Sequence, residues 1–298
     1  MDLTRRYPLA TFFALAYGIS WLLWAPLWLP ALGVHGLRVL PFHHAMGALG
    51  PITAAILVSL AESGLRGPGD LLRRMVDPRG RLVWVVVALL APFVLYGLAV
   101  AGATIAGISA SLTGLGSSRE FPQFSALAFL AYNVMSFGYG EEAGWRGFAL
   151  PRMQARHSAF VASILLAVGW AVWHVPLFFY RPGYTSMDAL GIAGWFASLL
   201  TGSILLTWLY NGSRGSILVV ALFHASVDVV FTSDVRSPVV INVVGALITL
   251  WGASVIVATG PRYLSRRGKM IQAKAGGLCR STADTDRPML PAATAASR

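Results

Sequence analysis

The sequence predicts an all-α, polytopic membrane protein with about eight transmembrane helices. Three observations carry this. Of the 298 residues 56% are hydrophobic and only 12% are charged, about half the charged fraction of an ordinary soluble domain. Stretches without Asp, Glu, Lys or Arg recur along nearly the whole chain, most of them close to the roughly 20 residues a helix needs to cross the hydrocarbon core. The basic residues, finally, are divided unevenly between alternate connections.

The first stretch, 8–34, follows Arg5 and Arg6. Its apolar core is too long for the h-region of a signal peptide and no small-x-small cleavage site closes it, so it is expected to be a retained first helix. The second, 39–61, leads into "ESGLRGPGDLLRRMVDPRGR" (62–81), where Leu71, Leu72, Met75 and Val76 flank Arg73 and Arg74. That pattern fits a short amphipathic interfacial helix and a plain basic loop equally well. The third, 82–118, holds one helix that ends near the small residues "GISASLTGLGSS" (107–118). The fourth, 121–140, runs on through the charged "EEAGWR" to Pro151 and Arg152, where it leaves the membrane. The fifth is 157–180, and the sixth, 189–213, has Asp188 placed as its cap. The seventh, 215–227, is interrupted by Asp228 and continues to 233, and the eighth is 237–261.

Residues 1–260 thus read as one membrane-embedded domain. The remainder, 261–298, is basic, rich in Ala, Arg, Thr, Ser and Pro, and nearly free of large apolar residues. It is expected to be a disordered cytoplasmic tail. The single cysteine, Cys279, lies there, which excludes an intramolecular disulfide and a multi-cysteine metal site. A disordered tail also gives a thiolate nothing to stabilise it.

The net charge of +11 is a topology signal, not a nucleic-acid footprint. Nineteen Lys and Arg fall before the first run, after the even-numbered runs or in the tail, while Arg38, Arg119, Arg181 and Arg236 stand one in each remaining connection. The positive-inside rule puts both termini in the cytoplasm, as an even number of spans requires. The location is the cell membrane, and the basic surplus suits anionic lipid head groups.

Few ionisable groups lie within the spans: Glu141, Glu142 and Arg146 in the fourth, His174 in the fifth, His224 and Asp228 in the seventh. A charge at the bilayer centre costs about 2.5–3.5 kcal/mol on insertion scales, so such residues usually pair or work. Six in three helices, of types suited to proton transfer, point to a catalytic site. Glu142 and Arg146 are four apart with the acid first, the favourable order for an ion pair on one face. Glu141 is rotated about 100° from Glu142 on a regular helix, and is therefore expected to stay free as a general base, with Glu142–Arg146 as its support. His224 and Asp228 share one face, so the carboxylate either orients the imidazole or acts beside it on a substrate.

Two chemistries remain open. Glu141, His174 and His224 make a plausible set for a divalent metal such as zinc, with an open position for water, although no H-E-x-x-H helix is present. Alternatively Glu141 and His174 polarise a water directly while His224 and Asp228 steady the oxyanion, with Asp228 protonated if it is to donate. His35, His43, His44 and His157 are expected to be interfacial.

"EEAGWR" (141–146), "WAVWH" (170–174) and "HASVD" (224–228) resemble the three motifs of the CPBP family, the CAAX prenyl protease and bacteriocin-processing membrane proteins also called the ABI family. The matched core runs over 124–231. The resemblance implies an eight-helix intramembrane endopeptidase, a member of a family commonly called metalloproteases. Glu141 would activate water with His174 as partner, His224 and Asp228 would stabilise the oxyanion, and Glu142 and Arg146 would support them. Partners would be the lipid bilayer and a peptide or protein substrate, lipid-modified or a bacteriocin precursor. The chain departs at Trp170, where the family usually has Phe, and at Asp228, where the prenyl proteases often have Asn. The competing reading is non-catalytic: a binder conferring self-protection against a peptide toxin, or a proton-coupled transporter.

Depth poses a difficulty. If the fourth helix starts at Phe124 and the fifth at Ala159, Glu141 lies about 25 Å from the outer face and His174 about 22 Å from the inner one. Helices that project beyond the bilayer would close this gap, giving a water-filled site expected to open on the cytoplasmic side.

Overall fold

The computed structural model describes residues 2–77, 82–234, 237–272 and 277–285. Its helices are α1 (Pro8–Leu32), α2 (His43–Ser63), α3 (Arg66–Val76), α4 (Leu82–Ile105), α5 (126–154), α6 (Ala159–Phe179), α7 (Ala189–Gly212), α8 (Ile217–Thr232) and α9 (Pro238–Thr259). Among the described residues, α1, α2, α4, α6, α7 and α9 are long and apolar enough to cross a membrane, and α8 is a shorter apolar helix. With α5, which carries the charged motif, these are the eight apolar segments. The chain is an all-α, multi-pass membrane protein. The basic stretch after α2 is a helix, α3, and α4 ends where Gly107 takes a positive φ of 75°.

The ends of the helices follow local chemistry. Pro8 opens α1 at a position whose N–H would be unpaired anyway. Ser125, Ser158, Asp188 and Ser216 cap α5, α6, α7 and α8, each accepting a backbone N–H of the first turn.

Helix α5 is irregular where it matters. Two five-residue π-turns, Val134–Gly138 and Trp145–Ala149, flank a regular turn, Tyr139–Gly144. Each π-turn widens the helix and resets the direction of the side chains beyond it. Glycines on the same stretch let neighbouring backbones in. A Cβ on Gly138 would lie 2.6 Å from the Ala221 carbonyl oxygen of α8, and one on Gly144 would lie 2.6 Å from the Pro51 carbonyl oxygen of α2. Such backbone contact through small residues is how membrane helices associate closely.

Gly138→Ala is therefore expected to force α8 away from α5. Overpacking of this kind costs about 1–3 kcal/mol, seen as a lower Tm of the detergent-solubilised protein. An unchanged Tm would show that the two backbones do not touch there.

At the end of the bundle where α2 leads into α3 and α5 into α6, polar side chains join the elements. Arg74 of α3 is buried and donates to the Tyr210 hydroxyl (2.8 Å) and the Gly147 carbonyl (2.9 Å). Arg152 pairs with Glu62 at 2.5 Å, and Arg5 donates to the Ala61 carbonyl at 3.0 Å.

Residues 261–272 and 277–285 depart from the disorder expected of the tail. Met270–Ile271 and Arg280–Ser281 form a two-stranded antiparallel pair. Gln154 donates to the Met270 carbonyl at 2.9 Å, the Met270 N–H donates to Asn211 at 3.0 Å, and Met270 and Cys279 are buried. Composition missed this because the docking uses polar groups at the helix ends and a few apolar plugs, Leu264, Met270 and Cys279. Burial pushes the Cys279 thiol above its ordinary pKa, so it is poorly suited to act as a thiolate. Residues 273–276 and 286–298, also assigned to the tail, lie outside the described residues.

Candidate active site

The six ionisable residues are brought together where α5, α6 and α8 meet. Glu142 is fully buried, and its Oε1 accepts from Arg146 Nη1 at 2.9 Å and from His224 Nδ1 at 2.7 Å. The ion pair suggested by the four-residue spacing therefore forms, even though Arg146 lies in the second π-turn. Glu142 takes a further role across helices. Of the two roles open to Asp228, orienting the imidazole belongs to Glu142, because Asp228 Oδ2 stands 3.6 Å from His224 Nε2, beyond hydrogen-bond reach. Asp228 is left beside the outward nitrogen of that ring.

Glu141 points elsewhere, as its rotation from Glu142 requires, but it is not unbonded. Its Oε2 accepts from the indole Nε1–H of Trp170 at 2.8 Å. Trp170 stands at the centre of the constellation. Arg146 lies over its ring at 4.7 Å, and the rings of His174 and His224 are 5.6 and 5.5 Å away. This residue was legible in the sequence only as an aromatic one turn before His174. What the pattern concealed is the N–H, a donor that the Phe usual in the resembling motif lacks.

His174 caps the regular part of α6. Its Nδ1 lies 2.7 Å from the Trp170 carbonyl oxygen, which can only accept, so Nδ1 carries the hydrogen. The neutral ring then offers its Nε2 lone pair away from the helix. Tyr184 stacks on the ring at 6.0 Å and Trp195 meets it edge-on at 5.7 Å.

The arrangement carries under-satisfied buried charge. Glu142 Oε2 and Arg146 Nε and Nη2 have no hydrogen-bonding partner among the described protein groups.

The depth difficulty is resolved by the length of α5. Its 29 residues (126–154) make about 43 Å of helix, well beyond a hydrocarbon core of about 30 Å. Gln154 and Ala159 lie at one shared end, and Glu141 and His174 lie thirteen and fifteen residues from it, about 20 and 22 Å. They are therefore at one level. Exposure within the constellation is uneven. The side chain of Glu142 is fully covered, that of His224 is 9% exposed and that of Asp228 26%.

Zinc on Glu141, His174 and His224 is the other chemistry these residue types allow. Among the described residues no three His, Cys, Asp or Glu side chains are gathered so as to hold a metal ion. The Trp170 ring stands among the three candidates, while the bond from His224 Nδ1 to Glu142 leaves Nε2 of that ring available. The three candidates are not gathered around one point in this arrangement, and no step below runs through a metal.

The other histidines form no such set either. His43 accepts from the Leu40 N–H and lies 2.6 Å from the Leu23 carbonyl, pinning the turn between α1 and α2, and His44 meets the Tyr180 hydroxyl at 2.7 Å.

Residues 123–230 match the family model described as type II CAAX prenyl endopeptidase Rce1-like. The chain is 36% identical over 106 residues to a CAAX prenyl protease 2 of Methanococcus maripaludis, a match covering 34% of this chain and 38% of that protein. The segment holding all six candidate residues is thus similar to the Rce1-like proteins, as the three motifs imply.

Proposed function

We propose that this chain is an intramembrane endopeptidase in which Glu141 activates water for attack on a peptide bond. The observation that carries the reading is the divided labour of two adjacent acids. Glu142 is held by Arg146 and His224, while Glu141 receives one donor, from Trp170, and keeps its second oxygen for a water.

The steps follow from the geometry. A water bonded to Glu141 and to the Nε2 lone pair of His174 loses a proton to Glu141 as its oxygen bonds to the carbonyl carbon. The charge that develops on the carbonyl oxygen faces Nε2 of His224. With Nδ1 donating to Glu142, a protonated ring presents its Nε2–H there. Collapse of the tetrahedral intermediate breaks the C–N bond, and Glu141 returns the proton to the departing amine. Asp228, beside Nε2, holds the imidazolium charge between substrates. Metal content measured on active purified protein tests this directly: activity that tracks bound zinc would overturn it.

Trp170 acts as a positioning residue by holding the carboxylate of Glu141. Trp170→Phe keeps the ring against His174 and removes the N–H. A hydrogen bond to a charged group contributes about 1.5–3 kcal/mol, so kcat is expected to fall roughly tenfold or more with KM little changed. A rise in KM at constant kcat would instead place the indole in substrate binding.

A further inference from the structure

A cavity separate from the centre of α5, α6 and α8 lies where α4 begins and α7 and α9 end. Its volume is about 400 Å³, within the range of small-ligand sites. Three tryptophans, one from each helix, make its apolar wall. Trp84 and Trp208 meet edge to face at 4.9 Å, and Trp208 and Trp251 do so at 5.7 Å. Gly212 lets this wall form, because a Cβ there would lie 2.5 Å from the Trp84 ring.

The rest of the lining is polar and basic. The chain that follows α9 is anchored by the fully buried Leu264 and brings Arg266 and Arg267 to the cavity. The backbone of Arg267 is fixed on both sides. Its N–H donates to the Ser265 hydroxyl at 3.0 Å, and its carbonyl accepts from the Ser281 hydroxyl at 2.9 Å. No Asp or Glu lines the cavity. Among the described residues neither guanidinium has an ion-pair or side-chain hydrogen-bond partner, and neither do the three indole N–H groups.

The two parts of the lining stand at different depths. Thr259 ends α9, and Trp251 lies eight residues earlier, about 12 Å further into the bundle. Unpaired cations therefore stand at the level of the helix ends, and an aromatic wall runs inward from them. Tryptophans and basic side chains are the residues that anchor a helix end at the membrane surface, and here they surround one cavity instead of being scattered.

We infer that this cavity binds an anionic phospholipid, with its phosphate at Arg266 and Arg267 and an acyl chain along Trp84, Trp208 and Trp251. Two cations without a neighbouring acid favour a head group of net negative charge. The apolar wall has no counterpart in a free phosphate ion. The bound lipid joins α4, α7 and α9 to the segment that follows them. This inference is independent of the endopeptidase reading.

Titrating delipidated full-length protein in a neutral detergent with phosphatidylglycerol tests it. The Tm is expected to rise and then level off, because a ligand that binds only the folded state stabilises it. Phosphatidylcholine with the same chains, and inorganic phosphate, are each expected to leave the Tm unchanged. Arg266→Gln with Arg267→Gln is expected to abolish the rise. Arg6→Gln with Arg156→Gln, which removes two exposed charges elsewhere, is expected to keep it. Native mass spectra give a reading independent of stability: one phosphatidylglycerol retained on the wild type and none on the Arg266/Arg267 variant. A flat Tm with phosphatidylglycerol, or an equal rise with phosphatidylcholine, overturns the inference. A rise with phosphate alone leaves an ion site and overturns the lipid. Equal loss in both double variants, or lipid retained without Arg266 and Arg267, overturns the assignment to this cavity.

Discussion

Glu141→Gln is expected to lower peptide cleavage by about 10²–10⁴-fold, the range for loss of a general base, while leaving the folded protein intact. The amide is isosteric with the carboxyl group, and its carbonyl oxygen still accepts from the Trp170 indole, 2.8 Å from the present oxygen. Burial and packing around residue 141 are therefore preserved. What is lost is the capacity to take a proton from water. Cleavage of a cognate peptide, measured beside Tm in the same detergent, separates the two. Turnover near the wild-type rate would sink the assignment. The same variant decides between catalysis and the two non-catalytic readings. Protection against a peptide toxin that survives Glu141→Gln would mark a binder, and proton-coupled uptake that it abolishes in proteoliposomes would mark a transporter.

Arg146→Met is expected to be the most destabilising single change in the site. Arg146 and Glu142 are both fully buried, with 2.9 Å between Nη1 and Oε1. Removing one partner of a buried pair leaves an uncompensated charge, which costs about 3–5 kcal/mol. The methionine also gives up the contact of the guanidinium with the Trp170 ring. The double variant Arg146→Met with Glu142→Gln removes both charges and is expected to recover much of the lost Tm. Cleavage is not expected to return with it, because His224 then faces an amide in place of the carboxylate that orients and charges it at 2.7 Å. Stability and activity would thus part company. An Arg146→Met protein that melts like the wild type would show that the pair does not carry stability.

The class of the protein was legible because it depends on composition and on one-dimensional pattern. Eight apolar runs, the uneven basic residues and the four-residue spacing of Glu142 and Arg146 are all readable along the chain. So was the separation of the two glutamates, since adjacent helical residues cannot face the same way. The docking of Met270 and its strand was not legible, because Gln154 and Asn211, which receive it, lie more than fifty residues upstream and look like ordinary helix ends.

The sequence by itself determined a multi-pass helical bundle, six ionisable residues that form a candidate site and their resemblance to one family. Only the tertiary structure decided that Glu142 rather than Asp228 orients His224 and that Trp170 holds Glu141. The reason is physical. Spacing rules bind residues on one helix, whereas these contacts cross between helices. Their register is set by two π-turns and by glycines that let α2 and α8 approach α5 closely, and no periodicity in the sequence encodes that approach.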